Sequence, residues 1–117
     1  MPLPQAFLEL SQRIGADPLL VQGAGGNTSI KTGDNEMWIK ASGTELAQAL
    51  AQDIFVAVHP TKARREIDHG PGDCRGTLID PSCGLRPSIE TTFHALFETR
   101  YVFHFHSVGV ICHAIAA

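Results

Sequence analysis

The stretch Gly25-Gly-Asn-Thr-Ser-Ile-Lys-Thr-Gly-Asp-Asn-Glu-Met-Trp-Ile-Lys40 decides how the sheet of this protein is built. Residues 27–31 alternate polar and apolar side chains as a half-buried strand does, and residues 36–40 have the composition of its partner. Gly33-Asp-Asn35 between them is a turn signal. Because a tight turn joins antiparallel strands, the stretch predicts a hairpin and a sheet with antiparallel pairing.

Further helices and strands are predicted on both sides of this hairpin. Residues 60–86 are rich in Gly and Pro and are expected to form a mobile, lid-like loop with at most a short helix over 62–67. The other predicted elements are a helix over Leu3–Ile14, a short strand over 19–22, a helix over 45–52, a strand over 53–59, a helix after Ser88, a strand over 101–106 and a buried helix over 108–117.

The length and charge of the chain limit both its architecture and its partners. At 117 residues it forms at most one domain, and 44% hydrophobic residues with a mean hydropathy of +0.02 are typical of a globular protein. The net charge of −3 argues against nucleic acid or an anionic membrane as the main partner. Any site for an anion must therefore be local.

The start of the chain, its apolar end and its cysteines predict a cytoplasmic protein. No charged and apolar leader follows Met1, and the apolar run 108–117 is too short to cross a membrane. Three cysteines without C-x-x-C spacing are typical of reduced cytosolic thiols, although a bridge between Cys74 and Cys83 is a less favoured alternative.

Two glycine-containing loops at the ends of the hairpin are candidates for an anion site. Residues 22–29 lack the spacing of a dinucleotide fingerprint, but their glycines allow close backbone approach, and Asn27, Thr28 and Ser29 supply donors. The second loop, residues 40–44, precedes the predicted helix over 45–52, whose N-terminal N–H groups would bind an anion beside Lys40. The alternative is a pair of ordinary turns with Thr44 as a helix cap.

His104 and His106 are the candidate metal ligands. Side chains two residues apart on a strand share a face, so both imidazoles can reach one metal ion. A catalytic zinc usually has three protein ligands, and only two are evident here. His113 is a weaker third candidate, and two ordinary histidines on a half-exposed strand remain the alternative.

Glu90 is the candidate catalytic carboxylate. Pro87 and Ser88 are typical of a helix start and place Glu90 in the first turn, where the helix dipole favours its charge. There it could move a proton beside the metal pair, or simply stabilise the helix. His94, four residues on, lies on the same helix face and is expected to pack or to orient Glu90.

Taken together, Gly25-Gly-Asn-Thr-Ser29, Trp38-Ile-Lys-Ala-Ser-Gly43, Arg86-Pro-Ser-Ile-Glu90 and His104-Phe-His106 resemble the class II aldolase/adducin family, in the family's order. The longer connection over residues 78–87 resembles the branch of sugar-phosphate aldolase modules that are sometimes fused to a short-chain dehydrogenase. The resemblance implies an α/β fold, a three-layer α/β/α sandwich around a mainly antiparallel sheet. Residues 1–117 would form a single such domain, incomplete at its C-terminal side.

The family's chemistry implies a role for each matching residue. His104 and His106 would be two of three ligands to zinc or another divalent metal, and Glu90 the acid–base group. The implied phosphate-binding residues are Gly26, Asn27, Ser42, Gly43 and Ser88. The implied reaction is cleavage of a phosphorylated ketose through an enediolate.

Two departures from the family pattern affect this expectation. Ile89 stands where many members have a second serine, and the third zinc histidine of the family lies in a segment beyond residue 117. The family also implies a homo-oligomer. The alternatives are a related decarboxylase, epimerase or dehydratase, a non-catalytic adducin-like binding or assembly module, and an anion-binding domain without metal.

Overall fold

The computed structural model describes residues 3–33 and 35–116; Asp34 of the predicted turn, the Met1 start and Ala117 lie outside the described residues. The helices are α1 Gln5–Ala16, α2 Pro60–His69, α3 Thr91–Leu96 and α4 Val108–Ala116. The strands are β1 Asn27–Gly33, β2 Glu36–Lys40, β3 Phe55–Val58 and β4 Tyr101–His104. Three single turns of 3-10 helix lie at Leu46–Gln48, Arg75–Thr77 and Pro81–Cys83.

The four strands form one antiparallel sheet in the order β3-β2-β1-β4. The predicted hairpin of β1 and β2 is confirmed, with Ile30 opposite Trp38. On the other edge of β1, Asn27 pairs with His104. This register brings the glycine-rich loop before β1 next to the histidines at the end of β4.

Helices cover both faces of the sheet, which confirms the predicted three-layer α/β/α architecture. On one face α1 packs against the sheet, and the ring of Phe7 lies 5.1 Å from that of Phe55 and 6.1 Å from that of Phe103, between centroids. On the opposite face Ala63 of α2 and Ala95 of α3 pack over Met37 and other buried side chains. The candidate site lies on this second face.

Two predicted elements near α1 are wrong. Residues 19–22 form no strand; the chain turns there, and Asp17 Oδ1 accepts the Leu19 N–H at 2.9 Å. The helix predicted over 45–52 is one 3-10 turn followed by further turns. It packs so tightly on α1 that a Cβ added at Gly15 would lie 2.4 Å from Ala47 N. Because the connection between β2 and β3 is short, β3 follows directly and pairs with β2.

The segment expected to be a mobile lid is packed against the sheet edge instead. Helix α2 is longer than predicted, and Cys74 and Thr77 beyond it are buried. The Thr77 carbonyl accepts the His59 N–H at 2.9 Å, and Ile79 N–H donates to the Ala57 carbonyl at 3.0 Å. These bonds satisfy backbone groups at the outer edge of β3 and hold the segment against the sheet.

The prediction that the last helix is buried is also wrong. The side chains of α4 are exposed throughout, with Val110 at 67% and Ile115 at 80%. The side chains of α4 belong to neither of the two buried clusters, which lie under α1 on one sheet face and under α2 and α3 on the other. Within residues 3–33 and 35–116, no helix is long and apolar enough to cross a membrane.

Candidate functional site

The candidate site lies where the start of β1, the end of β2 and the start of α3 meet. The pairing of Asn27 with His104 sets one side of it. An isolated bridge between Ala41 and Pro87 sets the other side, because it holds the loop after β2 against the residues that precede α3. Residues far apart in sequence are therefore joined by backbone pairing.

A cavity of about 230 Å³ opens at this junction. Its lining contains all five predicted phosphate-binding residues, which are Gly26, Asn27, Ser42, Gly43 and Ser88. The other lining residues are Ala24, Gly25, Lys40, Ile89 and Glu90. Three larger cavities, of about 370, 460 and 540 Å³, contain none of the predicted site residues. The structure thus gathers the five predicted phosphate-binding residues and the predicted acid–base group around one space.

The first loop depends on a glycine at position 26. Gly26 has φ +73°, and a Cβ there would lie 2.9 Å from Val21 Cγ2 and 3.2 Å from the His104 carbonyl oxygen. Only glycine combines this backbone conformation with so little space. The next residue, Asn27, is buried, and its side-chain oxygen accepts a hydrogen bond from the backbone N–H of Lys40 at 3.2 Å. This bond fixes the Asn27 amide group beside the cavity.

Thr28 and Ser29, expected to supply donors to an anion, point elsewhere. The Thr28 hydroxyl bonds to Ser11 of α1 at 2.8 Å, on the opposite face of the sheet. The Ser29 hydroxyl bonds to His94 Nδ1 at 2.6 Å. Successive side chains of a strand point to opposite faces of the sheet, so Thr28 and Ser29 lie on opposite faces. Neither residue lines the cavity.

The second loop offers side chains rather than a helix terminus. The predicted α-helix over 45–52 is wrong, because a single 3-10 turn, Leu46–Gln48, follows the loop, so this loop has no α-helix N-terminus to offer an anion. The Ser42 N–H donates to the Arg86 carbonyl at 2.9 Å, and Ser42 lines the cavity, where its hydroxyl can meet a ligand. Thr44 bonds back to the Ala41 carbonyl at 2.7 Å instead of capping a helix. Gly43, at φ +78°, makes the turn.

Ser88 joins this loop to the carboxylate. Its hydroxyl oxygen accepts the Glu90 N–H at 3.1 Å and so orients the backbone just before α3. The hydroxyl hydrogen remains available to a ligand in the cavity.

Lys40 is the cation of the site. Only 3% of its surface is exposed, and Nζ donates to the Ala24 carbonyl at 3.2 Å and to the Thr44 carbonyl at 2.7 Å. Burial lowers the pKa of Lys40, while the nearby carboxylates of Glu90 and Glu45 act in the opposite direction. The sequence indicated a positive charge beside the second loop, but it gave no sign that Lys40 bonds to both loops.

Glu90, which directly precedes α3, is held between two histidines. Its Oε1 lies 2.6 Å from His104 Nδ1 and 3.3 Å from His94 Nε2. Because a carboxylate only accepts hydrogen bonds, both of these ring nitrogens carry a proton. This leaves Nε2 of His104 as the ring atom that can bind a metal, an arrangement common for metal-binding histidines.

His94 extends the network into the core, in agreement with the predicted orienting role. It is completely buried, and burial lowers its pKa to about 4, so the ring is neutral at neutral pH. With the proton on Nε2, its Nδ1 accepts the Ser29 hydroxyl hydrogen. Ser29 thereby selects the tautomer that donates to Glu90, a function that sequence reasoning missed because it depends on the β1–α3 packing.

The two candidate metal ligands lie side by side. The ring centroids of His104 and His106 are 4.9 Å apart, although β4 ends at His104 and His106 is exposed. The second ring lies over the first loop, since a Cβ on Gly25 would be 3.8 Å from His106 Nδ1. The exposed His113 on α4 does not complete the pair: in the described part of the chain, no three His, Cys, Asp or Glu side chains are grouped to hold a metal ion.

The donors therefore fit a divalent transition metal in kind but supply two of the usual three ligands. A sequence model of the class II aldolase and adducin N-terminal domain matches residues 5–117. The chain belongs to the class II aldolase and adducin family.

Two similar proteins show what share of a relative's length this chain covers. The uncharacterized oxidoreductase YuxG of Bacillus subtilis (strain 168) is 32% identical over 125 residues, which cover 93% of this chain and 18% of that protein. The N-terminal class II aldolase domain of a conserved protein from Thermoplasma acidophilum superposes with a TM-score of 0.76 at 28% identity. That match covers 91% of this chain and 55% of the Thermoplasma chain. This class II aldolase-family chain thus spans about half or less of these relatives.

Proposed function

We propose that this class II aldolase-family chain carries the substrate cradle and acid–base group of a metal-dependent aldolase that cleaves a phosphorylated ketose. The observation that carries the proposal is the position of Glu90. Its carboxylate lines the anion cavity and also bonds to His104, so one group adjoins both the substrate space and the candidate metal ligands.

His104 and His106 would hold zinc or another divalent metal, with the third ligand supplied by another part of the assembled enzyme. When bound, the metal would polarise the ketose carbonyl and offset the negative charge that develops on the substrate. The hydrogen bond from His104 to Glu90 fixes the ring orientation that this ligand needs.

Glu90 would move the proton of the cleavage step. Its carboxylate would accept the proton of the hydroxyl group beside the scissile carbon–carbon bond. The carbon that bears this hydroxyl is released as an aldehyde, and the electrons of the broken bond pass into the ketose carbonyl to give an enediolate. Glu90 then delivers a proton to the carbon that lost its partner. The hydrogen bonds from His94 and His104 keep the carboxylate aimed at this carbon.

The cavity residues would hold the phosphate group at a fixed distance from this chemistry. Gly26 and Gly43 allow close approach of the backbone, and the amide of Asn27 and the hydroxyls of Ser42 and Ser88 would donate hydrogen bonds. Binding energy from the remote phosphate would position the reacting carbons beside Glu90.

The first experiment is metal content per chain after purification without added metal, combined with a cleavage screen on sugar phosphates. Zinc is expected at up to one ion per chain in the wild type and lost in His104→Ala/His106→Ala. A variant of the exposed His69 on α2, His69→Ala, should retain it. Failure of the wild type to bind zinc, cobalt or manganese would overturn the proposal.

Related reactions share the same intermediate, so the screen must include them. Decarboxylation, epimerisation and dehydration of sugar phosphates can also pass through an enediolate stabilised in such a site.

The second candidate is an adducin-like binding or assembly module, favoured by the two-ligand histidine pair. Anion binding without metal or turnover would favour that module.

A further inference from the structure

A smaller cavity with its own charged groups adjoins the cavity of the predicted phosphate-binding residues, here called the phosphate cavity. The smaller one has a volume of about 110 Å³, and Ser42 and Ile89 line both spaces. Glu90 lines only the phosphate cavity. Three charged side chains and a proline complete the smaller lining: Asp73, Arg75, Arg86 and Pro87. We call this space the arginine cavity.

Arg86 has a fixed backbone and a free guanidinium group. Its carbonyl accepts the Ser42 N–H at 2.9 Å, and the next residue, Pro87, forms a bridge with Ala41. The Arg86 side chain is exposed and makes no hydrogen bond or ion pair with any other residue that the structure describes. All five of its N–H donors are therefore available to a ligand.

Arg75 is presented by a turn that is fixed from below. Oε1 of Glu66 on α2 accepts the N–H groups of Gly72 and Cys74 at 3.1 and 3.0 Å, and Cys74 is buried. Asp73 accepts the backbone N–H of Arg75 at 3.1 Å, and its other oxygen lies 4.0 Å from Arg75 Nε. Over residues 3–33 and 35–116 the terminal nitrogens of this guanidinium make no further bond.

The charges of the arginine cavity match a carboxylate group. Two guanidinium groups face this space, and the carboxylate of Asp73 offsets one of them. One net positive charge remains, which a singly charged carboxylate balances and a dianionic phosphate exceeds. Guanidinium groups also bind carboxylates through pairs of parallel N–H···O bonds, so their geometry agrees with their charge.

The boundary between the two cavities suits a short carbon chain. Ile89 is 86% exposed there, and its side chain has no hydrogen-bonding group. A carbon segment of a ligand can lie against it without losing a hydrogen bond to water. Ser42 at the same boundary carries a hydroxyl that can donate to an anionic group on either side.

We propose that Arg75 and Arg86 form a carboxylate subsite beside the phosphate cavity, so that the ligand of this chain carries a phosphate and a carboxylate on one short carbon chain. The proposal rests on the phosphate-binding part of the proposed function. It narrows the substrate class from a phosphorylated ketose to one that is also a sugar acid. The two arginines determine specificity and take no part in proton transfer.

The test compares two ligands that share a phosphate and differ in one group. In 3-phosphoglycerate a carboxylate replaces the terminal hydroxymethyl group of glycerol 3-phosphate. Calorimetry measures both affinities with a chelator present, so that no metal ion at the histidines can hold the carboxylate. The wild type is expected to bind 3-phosphoglycerate about tenfold more tightly than glycerol 3-phosphate, since hydrogen bonds between charged groups are strong but are weakened by solvent here.

Two double variants separate the subsite from the general effect of charge. In Arg75→Met/Arg86→Met the ratio of the two dissociation constants should fall to about one. Arg13→Met/Arg65→Met removes the same charge from exposed positions on α1 and α2 that line neither cavity. This control should keep the wild-type ratio. The ratio is the measure because a loss of positive charge weakens the binding of every anion.

The possible failures have different meanings. Equal affinity of the wild type for the two ligands would overturn the carboxylate subsite and leave the proposed function intact, whereas binding of neither would overturn the phosphate cavity as well. An unchanged ratio in Arg75→Met/Arg86→Met would also contradict the proposal. If that variant does not fold, the Nε–H resonances of Arg75 and Arg86 in the wild type decide. Addition of 3-phosphoglycerate should shift both, glycerol 3-phosphate should shift neither, and equal responses would refute the subsite.

Discussion

Oε1 of Glu90 lies 2.6 Å from Nδ1 of His104, the shortest link between the acid–base candidate and the metal-ligand candidates. This contact gives Glu90 two separable roles. As an acceptor it orients the imidazole of His104, and as a titratable group it can transfer a proton. Substitutions that remove one role or both can distinguish them.

Glu90→Gln should abolish turnover while metal remains bound. The glutamine oxygen can still accept the N–H groups of His104 and His94, but the amide cannot transfer a proton at neutral pH. Glu90→Ala removes the acceptor as well, so we expect metal affinity to fall about 10- to 100-fold in addition. Turnover rates and metal titrations of both variants measure the two effects.

Two results would contradict these roles of Glu90. Activity of Glu90→Gln within about tenfold of wild type would remove Glu90 from proton transfer, since general acid–base catalysis typically contributes 10²–10⁴-fold. Equal metal affinity in Glu90→Ala and wild type would show that the hydrogen bond to His104 has no part in metal binding.

His94 should make the fold less stable as the pH falls from about 6.5 to about 4. The unfolded chain takes up a proton on this ring near the ordinary pKa of 6.5, whereas burial lowers the folded pKa to about 4. Between these values the unfolded state binds more protons, so stability rises with pH, and above 6.5 this effect of His94 is complete. The free energy of unfolding lost through His94 over this whole pH range is on the order of 3 kcal/mol.

Urea unfolding of wild type and His94→Gln at several pH values checks this. The free energy of unfolding of the wild type should fall more steeply below pH 6.5 than that of the variant, while the carboxylates common to both contribute equally. Parallel pH curves would mean that folded His94 takes up a proton as readily as the unfolded chain does.

Local pattern predicts the hairpin, whereas the three layers and the residues that line the cavity are implied by the family resemblance that the short motifs carry. The sequence does not predict the contacts of Ser29 and Lys40, which arise from strand register and from the packing of α3 and the loops. An alternating pattern assigns a side chain to a face, but the partner on that face comes from another element.

The wrong predictions have a related cause. Apolar spacing over 45–52 suits a helix, yet packing against α1 at Gly15 and the return of β3 leave room for one 3-10 turn. Apolar composition of α4 predicts burial, but composition does not say whether a core surface is left to receive a helix. Tertiary context decided both cases.

Gly26→Ala should destabilise the fold more than Gly84→Ala. Both glycines have positive φ, +73° and +78°, which costs an alanine about 1–2 kcal/mol. At Gly84 no atom lies within 4 Å of the added Cβ, whereas at Gly26 it meets Val21 and the His104 carbonyl. The steric conflict should add about 1–3 kcal/mol. Chemical denaturation measures both, and equal losses would show that the first loop can shift freely.

The three cysteines should differ in reactivity. Cys74 is buried, and burial raises the pKa of its thiol to about 11, so little reactive thiolate is present at pH 8. Cys83 and Cys112 are exposed free thiols. Iodoacetamide followed by mass spectrometry should show rapid labelling of those two, with Cys74 labelled only after denaturation. Labelling of Cys74 at the rate of Cys83 would mean that the segment after α2 opens readily.

The exposed helix α4 should govern self-association, the family expectation for this chain. Val110 and Ile115 are among the most exposed large apolar side chains of the described residues. A second copy would bury them, and each added charge on this helix would oppose such contact. Sedimentation velocity should show an oligomer for wild type and for Ile67→Glu on α2, and a monomer of 12.6 kDa for Val110→Glu/Ile115→Glu. A wild type that sediments as a stable monomer would show that α4 needs no second copy, and an oligomer that survives both glutamates would place the interface on another surface.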